Sequence, residues 1–506
     1  MISDSGRTVS VWMKTVGDEQ RQRLREDVSA DVCVVGAGMA GISTAYQLTR
    51  EGKRVVVLDD GPVAGGNTCR TTAHLAFYID DGLTEIERLH GTDGLKLAVE
   101  SHSAAVDRIE QIAREEGIDC DFLRLDGYLF VSPNGLKHDF LKDELDAARR
   151  IGWDDCDWAD RAPIPFDTGR CLRFPRHGQF HPTKWIAGVA RAVERRGGQV
   201  YTGAHAADVE KLGDGRLRVV SSAGPAVTAG AVVFATNTPV NDRVVIHTKQ
   251  EPWRTYVVGL RVPKGSVPPA LYWDTEDPYH YVRTQPMGDY DLLITGGEDH
   301  KTGHANDPDQ RYARLERWTR ERFPMCERRE FHWSGQWMEP IDYLAYSGRN
   351  PGDENVYIHT GDSGHGITHG MIAGVLLTDL IAGRPNPWEK LYDPSRLNPK
   401  AAGHYAQTNV SVAAQYRDYV TPGQVSDVSE IAPRQGAVVR RGLAKVAVYK
   451  DEFGQTHECS AVCTHMQCLV RWNYAEGSWD CPCHGSRFDP YGRVIDGPAN
   501  SDLGKA

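Results

Sequence analysis

Residues 31–60 constrain the fold more tightly than any other stretch of this chain. DVCVV (31–35) is an apolar run rich in β-branched residues, and the turn GAGMAG (36–41) follows it at once. Residues 42–51 carry apolar side chains at helical spacing, and KRVVVLDD (53–60) reads as a second buried strand. Strand, glycine turn, helix and strand in this order form a βαβ unit, which requires a parallel sheet. Gly36, Gly38 and Gly41 permit a tight turn and close backbone approach, so that a helix N-terminus faces a pyrophosphate. Asp59 ends the second strand 23 residues after Gly36, where a carboxylate can bind ribose hydroxyls, and Asp60 follows it. NAD and FAD sites share this arrangement, so the unit alone does not choose between them.

The rest of the chain sets the boundaries. Its 506 residues are enough for two to four domains. A formal net charge of -11 argues against a general nucleic-acid binder, which needs a basic surface. With 40% hydrophobic and 25% charged residues the chain has a globular profile, and no apolar run approaches the ~18–20 residues of a membrane span. The start, MISDSGRTVSVWMKT, lacks the pattern of a secretory signal, so the expected location is cytoplasmic. Helical patterns fall near 84–116, 138–151 and 182–196, and AVVFATN (231–237) is a short buried strand. Strand-like runs between 253 and 298 predict a sheet-rich second lobe, and 355–383 returns to strand, glycine turn and helix. Prolines punctuate 384–423 around a helical piece at 401–418, and the last ~80 residues look all-β.

Of 11 cysteines, five (459, 463, 468, 481 and 483) crowd into one 25-residue window. In a long chain of this type such clustering suggests a metal site rather than a disulfide scaffold. Cys463-x-His465 and Cys481-x-x-His484 are separated by 15 residues. Two Cys and two His could hold zinc, but each pair here is one Cys and one His, whereas zinc sites more often take two Cys from one knuckle and two His from a helix. The spacing is that of a Rieske centre, in which two Cys hold one iron and two His the other. From Ile431 to Leu503 the chain resembles Rieske domains throughout, including CPCHGSRFD, a glycine turn at Gly492 and GPA at 497–499. The resemblance implies a 2Fe-2S cluster on Cys463, His465, Cys481 and His484. It also implies a disulfide between Cys468 and Cys483, with two buried free thiols as the alternative, and leaves Cys459 as an ordinary strand residue. Ser486 matches a serine that hydrogen-bonds a bridging sulfide in high-potential members. Phe488 stands where those members have a tyrosine that donates to a ligand sulfur, which implies an intermediate potential.

Three further segments select FAD. GGNTCRTTA (65–73), Ala235-Thr236-Asn237 and GDSGHG (361–366) followed by a helix together resemble the D-amino-acid oxidase or glycine oxidase superfamily, from about residue 28 to 385. The resemblance implies a Rossmann-like α/β FAD-binding domain of the glutathione-reductase type with an α+β substrate domain, ahead of the all-β Rieske domain. The expected division is 1–385 for the oxidoreductase, 386–423 for a linker and 424–506 for the Rieske domain. FAD-binding parts are expected at about 28–80, 180–240 and 350–385, and substrate-domain parts at about 81–179 and 241–349. Carried over residue by residue, the flavin site comprises Gly36, Ala37, Gly38, Met39, Ala40, Gly41, Asp59 and Asp60 from the βαβ unit. To these the later segments add Asn67, Thr68, Arg70, Thr72, Ala73, Val209, Asn237, Asp362, Gly364, His365, Gly366 and Ile367. Some members attach flavin through a His that falls on Arg70 here, or through a Cys absent from 333–348, so non-covalent FAD is expected.

In this superfamily a hydride passes from the carbon bearing an amine to the flavin, and the protein chiefly orients the substrate. Tyr281 and Arg283 lie on one face of the predicted strand HYVRTQ, where an arginine fork suits a carboxylate. His74, Trp337 and His365 belong to flavin-facing motifs. The fusion implies a dehydrogenase for an amine or amino-acid-like small molecule, with electrons leaving one at a time through the cluster to an external protein or quinone. The alternative, a flavin/Rieske reductase or electron-transfer component fed by a nicotinamide, lacks a second dinucleotide fold.

Overall fold

The computed structural model describes residues 5–17, 19–132, 138–240 and 246–506. At the centre of an eight-stranded sheet lies Val28–Val35, paired in parallel with Val55–Leu58 on one side and Ala226–Phe234 on the other. Gln199–Tyr201 and Val356–Thr360 extend the parallel set outward. These strands are near-continuous apolar runs because both faces are covered. The helices Met39–Arg50 and Gly366–Ile381 pack on one another through small residues. A Cβ on Gly374 would lie 2.7 Å from Ser43 Cβ, so the close approach of the two helices depends on that glycine.

A nine-stranded mixed sheet forms the second lobe, its long strands Gln250–Pro263, Tyr290–Lys301 and Arg329–Pro340 running antiparallel beside one another. The lobes interleave more than the expected boundaries allow. His74–Leu75, expected in a flavin-binding part, pairs with Cys171–Gln179 in the nine-stranded sheet. Tyr346–Arg349, expected in the substrate part, pairs antiparallel with Val356–Thr360 in the eight-stranded sheet. Each is a short strand at a crossing point, and its ladder partner rather than its sequence neighbours decides its sheet. The helix Leu83–Glu115 covers the interior face and kinks at Gly91, where φ is 76°.

The stretch expected as a linker is packed along its length. Arg396 donates to Asp342 at 2.7 Å, Asn409 to the Thr248 carbonyl at 3.0 Å, and the Tyr416 and Tyr419 hydroxyls to the carbonyls of Met466 and Gln467 at 2.6 Å each. The C-terminal region holds a three-stranded and a four-stranded antiparallel sheet around a core that includes Tyr449, Trp472, Trp479 and Phe488. Among the described residues no helix is long and apolar enough to cross a membrane.

Candidate active site and iron–sulfur centre

The glycine turn is built for backbone approach. Gly36 has φ 108°, and a Cβ there would sit 2.3 Å from the Ala235 carbonyl oxygen; one on Gly41 would sit 1.8 Å from that of Gly36. Asp59 accepts hydrogen bonds from the backbone N–H of Ala37 and of Gly61, and so ties the second strand to the turn. One cavity runs from this turn to the nine-stranded sheet. Gly36, Gly38, Met39, Ala40, Asp59, Asp60, Asn67, Thr68, Arg70, Thr72, Asn237, Asp362, Gly364, His365, Gly366 and Ile367 all line it. A glycine cradle that any Cβ would fill, a helix N-terminus and a strand-end carboxylate in one cavity fit a dinucleotide such as FAD.

Four expected contacts lie behind this lining, not on it. Ala37 accepts from Ala64 N–H, Gly41 backs onto Gly36, and the Ala73 carbonyl accepts from Arg283 at 2.8 Å. Val209 packs at the edge of the hydrophobic cluster beneath the sheet, while Ala204, His205 and Ala206 reach the cavity three to five residues earlier. Arg70 faces two ways. It borders the cavity, but its guanidinium donates to Glu476 (3.2 Å), the Thr8 hydroxyl (2.9 Å) and the Ser334 carbonyl (2.9 Å).

At the other end the wall includes His74, Tyr281 and Trp337, as well as Asp80, Thr255, Trp273, Tyr279 and Asp299, which sequence reading missed. Arg283 is not there. It is fully buried over Trp12 and donates to the Ala73 and Phe180 carbonyls and to Gln285. Period-two alternation does place Arg283 and Tyr281 on one strand face, but two residues carry Arg283 past the cavity and into the core. Burial, aided by Arg283, pushes His74 down to about 3, so its imidazole is neutral. Burial opposes a charged His365, yet the Asp80 carboxylate 3.2 Å away outweighs it and raises that pKa. Burial lifts Asp299 to about 7.

The side chains expected to hold the iron–sulfur cluster converge in the same manner. The Cys463 and Cys481 thiols share a hydrogen bond that lowers the first and raises the second. The rings of His465 and His484 are 4.9 Å apart at 86°. His484 Nδ1 is buried without a hydrogen-bond partner, and burial with the neighbouring His465 pushes it down to about 3, leaving a neutral imidazole. Two thiols and two imidazoles brought together in this way fit a Rieske cluster. Cys468 and Cys483 form a disulfide with Cα atoms 6.4 Å apart, tying the two ligand loops. Ser486 Oγ accepts from Ala499 N–H at 3.0 Å, and Phe488 is fully buried.

The two regions share one interior. Val494–Gly497, Ala499 and Asn500 of the C-terminal region line the same cavity as the glycine turn, and Asn500 donates to the Ala206 carbonyl at 3.1 Å. Gln336, also on the cavity wall, donates to the carbonyl of Gly485, the neighbour of His484, at 2.8 Å. His247, buried in the turn Ile246–Lys249, lies edge-on to His465 at 4.8 Å between centroids. The N-terminal segment straps both regions, with Trp12 donating to the Thr71 carbonyl and Thr8 to Glu476. No local spacing marks these residues; pairing over hundreds of positions brings them together.

A flavin cradle opening onto a sheet-walled cavity, closed by a cysteine–histidine cluster domain, defines a flavin-dependent oxidoreductase with its own iron–sulfur centre. The chain belongs to the FAD dependent oxidoreductase (DAO) family, whose pattern matches residues 31–380, and carries a Rieske [2Fe-2S] domain matching residues 421–505. It is 31% identical over 488 residues to the Rieske 2Fe-2S iron-sulfur protein YhfW of Bacillus subtilis (strain 168), covering 95% of this chain and 94% of that one. Gamma-glutamylputrescine oxidoreductase of Escherichia coli (strain K12) is 28% identical over 374 residues, 71% of this chain and 85% of that one. Glycine oxidase from Geobacillus kaustophilus shares the fold with a TM-score of 0.60 at 18% identity, covering 73% of this chain and 99% of that one. L-amino acid deaminase from Proteus vulgaris, its specific insertion deleted, does so with a TM-score of 0.61 at 19% identity, covering 78% and 100%.

Proposed function

We propose that the chain is a dehydrogenase that oxidises an amine or amino-acid-like substrate and delivers the electrons singly, through its Rieske domain, to an external protein or quinone. The observation that carries this reading is the shared wall: Val494–Gly497, Ala499 and Asn500 of the Rieske domain line the same cavity as the glycine turn. Bound FAD would supply an acceptor for the hydride on the carbon bearing the amine, and the cluster an acceptor for single electrons. The chain's own residues orient the substrate against an aromatic wall of Tyr279, Tyr281 and Trp337 and exclude water from the buried side. His365, paired with Asp80, is placed to hold a proton at the cavity wall. The amine in the name of the Escherichia coli relative supports the substrate class. Anaerobic stopped-flow mixing with a panel of amines and amino acids tests the route. Bleaching of the flavin band followed by cluster reduction is expected. A flavin that bleaches while the cluster stays oxidised would sink it, and bleaching by NADPH alone would favour the reductase reading.

A further inference from the structure

The wall that the nine-stranded sheet presents to the cavity carries a carboxyl group, Asp299, that no arginine or lysine among the described residues meets. Asp299, on the strand Tyr290–Lys301, lines the cavity, yet both of its carboxylate oxygens are buried without a hydrogen-bond partner. The neighbouring Thr255 hydroxyl pairs with the Tyr281 hydroxyl at 2.7 Å and only partly offsets the effect of burial on the Asp299 carboxyl. A buried acceptor left unmatched costs free energy, and such groups in folded proteins are normally met by a donor. Asp80 faces the same space, held by His365 at 3.2 Å and Tyr279 at 3.4 Å. Among the described residues Arg70 is the only arginine or lysine along the cavity, and its guanidinium is turned to Glu476, Thr8 and Ser334. Arg283, the cation expected to meet a carboxylate, is committed to backbone carbonyls in the core. A substrate carboxylate entering here would meet two carboxyl groups and no guanidinium fork. An ammonium would instead give Asp299 a charged donor, in a cavity also lined by the Tyr279 and Tyr281 rings, whose faces attract cations.

Resting on the reading that this cavity binds an amine, we propose that its substrate is an aliphatic amine cation with no carboxylate beside the reacting carbon, held by Asp299. The test uses the full FAD-loaded chain with 1,4-diaminobutane, n-butylamine and glycine, each followed by calorimetry and by anaerobic flavin bleaching. Both amines are expected to bind at least about 10-fold more tightly than glycine, the step that one charge-assisted hydrogen bond supports. Asp299→Asn should shrink the diamine-to-glycine affinity ratio by about 10-fold or more, and Asp299→Glu should restore part of it. Glycine binding as tightly as the amines, no amine binding at all, or a ratio unmoved by Asp299→Asn each overturns the inference. If the variants do not fold, as their flavin spectra report, the three ligands on the unmodified chain still decide it. Amine binding without bleaching upholds cation recognition and defeats the dehydrogenase reading; bleaching by glycine without amine binding does the reverse.

Discussion

Arg70 and Glu476 meet at 3.2 Å across the boundary between the flavin-binding and Rieske regions, their side chains 1% and 0% exposed. They belong to a buried set that also joins Arg254 to Asp480 at 3.2 Å and Arg487 to both Asp480 (3.1 Å) and Asp496 (2.8 Å). Three guanidiniums and three carboxylates thus fill an interface that is buried except at Asp496, which lines the cavity. Removing one partner from such a set leaves a buried charge uncompensated, which costs about 3–5 kcal/mol. Glu476→Gln should therefore lower the denaturation midpoint and expose 386–423 to protease. A variant as stable and as protease-resistant as the parent would show that the two regions are held by other contacts.

The same pair sets an acid limit on the interface. Burial alone would raise Glu476, but Arg70, Arg254 and Arg487 together with the Ser334 hydroxyl bring it from its ordinary 4.5 down to about 2. A carboxyl whose folded-state pKa is depressed stabilises the fold in full above its unfolded value and loses that contribution as pH falls toward the folded one. The stability gap between the parent and Glu476→Gln should be constant above about pH 4.5 and close between there and pH 2. Denaturant titrations at a series of pH values measure it, and a gap that widened on acidification would reverse the sign.

Asp59 offers a test at the flavin end. It holds the Ala37 and Gly61 N–H groups and lines the cavity at the strand end, where dinucleotide ribose hydroxyls are bound. Asp59→Ala should lose a charged hydrogen-bond acceptor worth about 1.5–3 kcal/mol of FAD affinity. The flavin-to-protein absorbance ratio after dialysis should fall, and an unchanged ratio would place the ribose elsewhere.

What sequence alone reveals follows the range of the interaction. The turn from Gly36 to Gly41 and the two Cys/His pairs are local patterns, since their spacing is itself the geometry. Arg70 shows where this ends. It sits in a loop whose pattern marks flavin, but its guanidinium serves a carboxylate 406 residues away. Arg283 was legible as a strand face and illegible in depth, because alternation gives direction and not distance from a cavity. Asp80 and Asp299 carry no motif; only the closure of the nine-stranded sheet against His365 puts both on one wall.

The disulfide between Cys468 and Cys483 closes 15 residues and clamps both ligand loops. A cross-link of that span stabilises by about 3 kcal/mol. Cys468→Ser should shorten the thermal half-life of the cluster's visible absorption while leaving the flavin band in place. Equal loss of both chromophores would mean that the bond supports the whole molecule.

Phe488 offers control over the cluster's potential. It is fully buried on the strand pair that follows the second ligand loop, opposite Trp479. High-potential Rieske domains carry a donating tyrosine at this position, and a hydroxyl near a ligand sulfur stabilises the more negative, reduced cluster. Ser486, beside Cys463, already supplies one such hydroxyl, so the effect of a second can be read separately. Phe488→Tyr should raise the midpoint potential without altering ligation, which redox titration followed by electron paramagnetic resonance measures. A raised potential would also favour electron flow from the flavin cavity into the cluster. Substrate-driven cluster reduction in the variant should then be at least as complete as in the parent. A potential that fails to rise would show that the buried hydroxyl does not reach the ligand sulfur and that Ser486 and burial set the potential of this domain.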